Sequence, residues 1–466
     1  MTDWNLESQS AALRARRVSS LELVEACLAR IARHDPRLRA FITIDAEGAR
    51  ATAKERDAEL ASGRWRGPLH GLPLAYKDLC FIAGLPTSCG TQTREYFVAE
   101  RECAAVGRLR TAGAVTLGKL NMSELALGPF GDNAHHGDAQ NPWRSGHCSG
   151  GSSSGSGVAV AAGLALATLG TDTGGSIRLP AAACGIVGLK PTYGRVSRAG
   201  AMALSWSNDH LGPMTGTVRD AALMLGVIAG HDPEDGTSSR HPVPDYLGAI
   251  DSGVAGLRLG VPENYFLDGV DSAIVAAVED AAQQLAAGGA RLVRLRVPDP
   301  GPITDVTGLV SRAESATIHT RILKERPHEL QPVVRARLQV GLQISAHDYL
   351  QALRLRARMT RHVIREVFAE VDVLLVPTIP EPPPRLADVT SVPVDVVIAR
   401  MGRFSRLTRP FNGLGLPALS VPCGLSPEGL PLGLQIVGRP FDEATVLRVG
   451  RAWEQLRGGF PQPALP

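Results

Sequence analysis

Two glycine–serine turns enclosing one apolar run constrain this chain more than any other feature in it. Residues 150–157 read GGSSSGSG, 158–169 read VAVAAGLALATL and 170–178 read GTDTGGSIR. By itself a Gly/Ser octet has the composition of a flexible linker. Here it opens straight into twelve small or apolar residues and is followed by a second turn of the same kind, which predicts a buried element with a tight turn at each end. Glycine lets backbone approach a ligand closely and take up positive φ. Two such turns can therefore bring several N–H groups and hydroxyls to one place, which is the layout of an active site.

A base is available upstream. Only five of the 49 Lys and Arg residues are lysines: Lys54, Lys77, Lys119, Lys190 and Lys324. Arginine keeps its proton inside a protein, whereas a buried lysine can lose it and act as a base. Lys77 ends the strand-like apolar run of GLPLAYKDLC at 71–80. In such a place it is either paired with a neighbour such as Asp78 or held for chemistry.

The stretches 71–78 and 150–163 resemble the amidase signature hydrolases. So do GTDTGGSIRLPAAACGIVGLKPTYGRVSR (170–198), LGKLNMSELALG (117–128), NPW (141–143) and, near the end, GLPALSVPCG and LPLGLQIVGRPFDE (415–424 and 430–443). The likeness runs over nearly the whole chain. It implies an α/β fold, a large mixed β-sheet core covered by helices on both faces, with an N-terminal helical arm. It also implies a Ser–cis-Ser–Lys catalytic set, with Ser176 as nucleophile, Ser152 as the bridging serine after a cis peptide, and Lys77 as base. The backbone N–H groups of Thr173, Gly174, Gly175 and Ser176 are the implied oxyanion donors. Ser153 and Arg178 are expected to hold Lys77 and the nucleophile loop, with Asp172 as the partner of Arg178; an ordinary structural ion pair is the other reading of Asp172.

The chemistry behind that assignment is general. A serine hydroxyl needs a base to become a nucleophile. A neutral lysine amine could take the proton through Ser152, whose hydroxyl both donates and accepts, and Ser152 could return it to the leaving nitrogen. Donors already in place stabilise the oxyanion. The family's usual glycine–serine run reads PGGSSGGS, whereas here Cys148 and Ser149 precede the glycines and Ser154 replaces one; the three catalytic positions are untouched.

Within the family two readings remain. One is a stand-alone serine amidohydrolase cleaving a carboxylic amide to acid plus ammonia or amine. The other is the A subunit of a glutamyl-tRNA(Gln) or aspartyl-tRNA(Asn) amidotransferase, whose B and C subunits would then be its partners. The segment RFSRLTRPFNGLGLPALSVP at 403–422 looks more like the stand-alone amidases and favours the first. Either way the partner is a small-molecule amide, no metal or organic cofactor is called for, and a homodimer is common among relatives.

Rival motifs are weaker. Residues 151–155, GSSSG, match the G-x-S-x-G nucleophile elbow with Ser153 as nucleophile, but that elbow must follow a buried strand and NPWRSGHCSG before it is polar and turn-like. His135, His136 and His147 share a polar loop without a carboxylate or cysteine pattern that would make a metal site. Asp209 and His210 resemble an acid–base dyad; the lysine scheme leaves them a structural or pocket-lining role, with a histidine triad as the minor alternative.

Composition adds limits. A formal net charge of +3 over 466 residues, without a basic block, gives no footprint for nucleic acid. Seven scattered cysteines without C-x-x-C spacing indicate neither a disulfide framework nor a zinc site. Residues 1–20 carry charge and no apolar core, unlike a signal peptide, and the run 158–169 is too short to span a bilayer; the expected location is cytoplasmic.

In chain order, residues 1–62 read as a helical arm, with a capping box at Ser19–Glu22 and a second helix from about Asp45 to Leu60. Residues 63–466 read as the catalytic domain, with a regular core at about 71–230 and a less regular second half at 231–466 packed on the same sheet. There 257–262, 290–297 and 371–378 read as strands, 272–287 and 345–370 as helices. The arginines at 354, 356, 358, 361 and 365 form a solvated face, from which one could hold an acidic substrate. The loops at 121–132, 206–210 and the Pro-rich 379–400 are expected to shape the pocket.

Overall fold

The computed structural model describes residues 4–93, 97–99 and 101–465. Its strands are β1 (Phe41–Ile44), β2 (Pro73–Lys77), β3 (Pro86–Thr87), β4 (Phe97–Val98), β5 (Val115–Leu120), β6 (Ala167–Asp172), β7 (Val187–Lys190), β8 (His210–Thr215), β9 (Arg258–Pro262), β10 (Arg291–Leu295), β11 (Val373–Pro377), β12 (Ala418–Leu425) and β13 (Pro431–Gly438). Eleven of them form one mixed sheet in the order β1-β5-β2-β6-β8-β7-β12-β13-β11-β9-β10, and β3 with β4 makes a separate ribbon. Every residue of β2, β6 and β13 is buried. A strand buried on both faces needs helices on both sides of its sheet, as the resemblance implied.

The two halves of the chain share this sheet. At its middle, β7 pairs antiparallel with β12, Leu189 opposite Leu419, so strands some 230 residues apart in sequence are hydrogen-bonded neighbours. The strands expected at 257–262, 290–297 and 371–378 are β9, β10 and β11.

Two expectations change. The arm read as helical does carry helices Leu6–Arg14, Ser20–Leu38 and Ala46–Ala61, the second with its Ser19–Glu22 capping box. Between the last two, however, Phe41–Ile44 adds an edge strand antiparallel to β5; four residues between helices carry too little pattern to be seen as a strand. The apolar run 158–169 is two elements, not one. Ser154–Ala161 is a helix, Gly163 at φ 64° turns the chain back, and β6 follows. The first glycine–serine turn thus supplies the first turn of a helix, and the second lies at the end of a strand.

Candidate active site

Parallel pairing between β2 and β6, with Tyr76 opposite Leu169, brings the two strand ends to one level. Lys77 closes β2 and Thr171 nearly closes β6, at the carboxyl ends of neighbouring parallel strands, where α/β sheets place their sites. The Lys77 side chain is wholly buried. Its Nζ donates to Ser152 Oγ at 2.7 Å and to Thr171 Oγ1 at 2.8 Å. Burial pulls the amine down to about 7, so near neutrality it exchanges its proton readily. Asp78, the carboxylate next to it in the chain, instead pairs with Lys119 at 3.1 Å and accepts from Ser88.

Ser152 follows the Gly151–Ser152 peptide, which is cis. Ser153 donates to the carbonyl of Thr171 at 3.1 Å, and its own N–H donates to the carbonyl of Ser176 at 3.2 Å. It thereby ties the serine turn both to β6 and to the second turn, and its hold on Lys77 runs through the Thr171 segment. Ser154 leans on the carbonyl of Asn121 and does not line the cavity. No strand leads into Ser153, since none lies between β5 and the helix Ser154–Ala161, which removes the nucleophile-elbow reading.

The turn 172–178 is held by its own ends. Arg178 grips Asp172 with two bonds of 2.9 Å, from Nε to Oδ2 and from Nη2 to Oδ1, and both side chains are fully buried. Burial alone would raise the Asp172 carboxyl, but Arg178 holds it well below the usual carboxylate range. The second half of the chain completes the clamp: Arg178 also donates to Gln435 Oε1, Asn412 Oδ1 and the carbonyl of Thr408.

This clamp alters the expected oxyanion set. The Gly175 N–H donates to Asp172 Oδ1 at 2.7 Å and is not free for a substrate oxygen. Its glycine serves geometry instead: φ is 131°, and a Cβ would overlap Thr408 Oγ1. Among the described residues the N–H groups of Thr173, Gly174 and Ser176 have no protein acceptor. Thr173, Gly174 and Ser176, together with Gly151, line a cavity of about 340 Å³.

Asp209 and His210 do not form a dyad. Asp209 accepts from Thr173 Oγ1 at 2.6 Å and from the N–H groups of Leu204 and Ser205. His210 Nδ1 faces the carbonyls of Asn208 and Asp172 at 2.7 and 3.1 Å, and burial depresses its pKa, leaving a neutral ring bound to no serine. Of the loop histidines, His135 does have a carboxylate, Glu124 Oε1 at 2.7 Å, supplied from beyond the loop. Among the described residues no group of three or more His, Cys, Asp or Glu is placed to hold a metal ion, and no helix is long and apolar enough to cross a membrane.

The amidase family model matches residues 22–447. The chain belongs to the amidase family. It is accordingly an amide-hydrolysing enzyme. The A subunit of glutamyl-tRNA(Gln) amidotransferase from Chloroflexus aggregans is 41% identical over 98% of this chain and 97% of its own length. Among solved structures, a chain of a vestigial protein complex described as revealing the origins of an s-triazine catabolic enzyme superposes with TM-score 0.91, at 34% identity over 98% of this chain and 99% of its own. The Thermotoga maritima counterpart of the Chloroflexus protein gives 0.82 at 32%, over 96% and 95%. These amidase relatives shift the weight from the stand-alone reading, suggested by 403–422, towards the A-subunit reading.

Sequence reasoning missed several residues of the amidase site. Thr171 touches Lys77, and Thr408, Asn412 and Gln435 touch the second glycine–serine turn, yet they carry no local pattern. Of the loops expected to shape the pocket, 121–132 does so through 126–129 and 379–400 through Ile398 alone, while Trp206 and Asp209 of 206–210 line an adjoining cavity that shares Thr173 and Leu204 with it. The far wall comes from helices Pro300–Ile318 and Pro332–Gly341. The solvated face is borne out at Arg354, Arg358, Arg361 and Arg365, whereas Arg356 donates to Ser207 and Asn208.

Proposed function

We propose that this enzyme releases ammonia from a carboxylic amide through an acyl-enzyme on Ser176. The observation that carries the reading is a buried amine, Lys77, hydrogen-bonded to Ser152 and depressed to about 7. In its neutral form Lys77 takes the Ser152 proton as Ser152 takes that of Ser176, and Ser176 Oγ attacks the carbonyl carbon. The oxyanion is held by the N–H groups of Thr173, Gly174 and Ser176. As the C–N bond breaks, Ser152 hands its proton to the nitrogen and regains one from Lys77. Water then enters by the same relay and releases the acid.

The A-subunit relatives at 41–42% identity support a glutaminase that feeds ammonia to a tRNA-carrying B subunit, with a C subunit as further partner. One observation favours a stand-alone amidase, alone or as a homodimer: the cavity lining contains three arginines and no carboxylate, so the α-ammonium of glutamine would lack a counter-charge there.

The test is labelling of the purified chain by a fluorophosphonate, with ammonia release measured beside it. The label is expected on Ser176, and Ser176→Ala should lose both label and turnover. A variant that keeps either one rules out the proposed nucleophile. Glutaminase activity that appears only with B and C subunits added would select the A-subunit reading.

A further inference from the structure

The wall of the cavity facing the nucleophile turn is cationic. Arg312 on helix Pro300–Ile318, Arg337 on helix Pro332–Gly341 and Arg409 on helix Arg409–Gly413 all line it. Arg337 and Arg409 are half-buried and Arg312 lies exposed at the mouth. The guanidiniums of Arg312 and Arg409 converge: a Cβ on Gly308 would stand 3.5 Å from Arg312 Nη1 and 3.8 Å from Arg409 Nη1. Arg409 also reaches towards the reacting centre, its Nε 3.8 Å from where a Cβ of Gly174 would sit. Its Nη2 donates to Ser405 Oγ at 2.6 Å, which fixes the fork and leaves other N–H groups available.

Among the described residues no carboxylate forms an ion pair with any of the three. Asp132 and Asp305 are near enough for their charge to be felt, but neither lines the cavity. Burial, and then Arg409 and Arg312, bring Arg337 down to about 10. Apart from the hydroxyls of Ser311, Ser315 and Ser405, the remaining wall is largely apolar, including Leu127, Leu309, Val340 and Met401, which strengthens charge interactions inside it. Like charges gathered in such a place repel one another unless an occupant supplies the anion.

We infer that the substrate is a short amide bearing at least one carboxylate and no ammonium group. Its carboxylate is seated on Arg409, flanked by Arg312 and Arg337, a few bonds from the carbonyl that Ser176 attacks. Planar guanidinium forks match carboxylates with paired hydrogen bonds, whereas an ammonium in the same cavity meets three like charges. The inference rests on amide cleavage at Ser176, which both readings above share, and it selects between their substrates.

Three amides separate the contributions. Glutaramate is glutamine without its ammonium, and butyramide is glutaramate without its carboxylate. Expected for the purified full-length chain is a kcat/KM for glutaramate roughly a hundredfold above butyramide, the scale of a desolvated charge pair, and at least about tenfold above glutamine. Arg409→Gln and Arg312→Gln should each shrink the glutaramate-to-butyramide ratio by about tenfold or more; a ratio is unmoved by a mere loss of folded enzyme. Butyramide equal to glutaramate, glutamine ahead of glutaramate, or an unchanged ratio in both variants would overturn the inference. A second readout needs no turnover. By calorimetry on Ser176→Ala, glutarate should bind at least about tenfold more tightly than the neutral diamide glutaramide, and equal affinities would overturn the inference by themselves. If no amide is hydrolysed yet glutarate binds selectively, the ammonia-releasing reading fails while the anion pocket stands.

Discussion

Lys77 is an amine in a place that disfavours its charge. With burial bringing it to about 7, roughly half the molecules carry a neutral base at pH 7, against well under about 1% for a solvated lysine. The acid limb of the kcat/KM profile should therefore rise through about pH 7, and a rate falling steadily from pH 6 to 9 in folded protein would refute the lysine base. Lys77→Met should lower kcat by roughly 10²–10⁴-fold, the range of a lost general base. Its effect on stability has the opposite sign. Between about pH 7 and the lysine's ordinary value the unfolded chain binds a proton that the folded chain does not, so stability rises with pH across that window. The charged amine therefore weakens the fold most at and below pH 7, where Lys77→Met should melt no lower than the parent; a clearly lower Tm there would mean that the amine is structural. Lys77 stands out in the sequence as a scarce lysine ending an apolar strand, whereas Ser152 and Ser176 are singled out by the family resemblance of their glycine–serine turns. Thr171 is not, since a threonine at a strand end gains its meaning only from the register that sets it beside Lys77.

The turn between β6 and helix Arg178–Cys184 depends on one buried ion pair, Asp172 with Arg178. The pair also fixes the N–H groups of Gly175 and Ile177, so the conformation of the turn that carries Ser176 is written into it. Removing one partner leaves the other charge buried and unmatched, which typically costs about 3–5 kcal/mol. Asp172→Asn should lose that much in urea unfolding, and fluorophosphonate labelling at Ser176 should slow well beyond the fraction unfolded. A loss below about 1 kcal/mol would show that the Thr408, Asn412 and Gln435 contacts hold Arg178 unaided. Element-scale features were legible where the pattern is local: the capping box at Ser19 and the helices Ala46–Ala61 and Ser272–Ala287 needed only spacing and cap residues. β1 was not, because FITI becomes a strand only against β5, where Gly118 leaves room for the carbonyl of Thr43. The arginine wall was missed for the same reason, its three members lying on three helices far apart in sequence.

At the scale of the molecule, neither half of the chain closes the site alone. Lys77, Ser152 and Ser176 come from the first half, while Thr408, Asn412 and Gln435 brace Arg178 from the second. The same join runs through the sheet, where β7 meets β12 in the middle and both strands are buried almost throughout. Separating the halves would strip hydrogen bonds from the central ladder and leave the Arg178 guanidinium with Asp172 alone, so an intermediate with one half folded gains little over the unfolded chain. We therefore expect a single cooperative transition in urea, with tryptophan fluorescence, far-UV circular dichroism and fluorophosphonate labelling sharing one midpoint. Fragments 1–240 and 241–466 made separately should be inactive and largely unfolded, and should regain labelling only when refolded together. A folded, labelled 1–240 fragment, or two separated midpoints, would show that the halves are independent units and that the site closes without its second-half contacts. In that event the arginine wall, all of it contributed from 231–466, could be exchanged between family members as a specificity module.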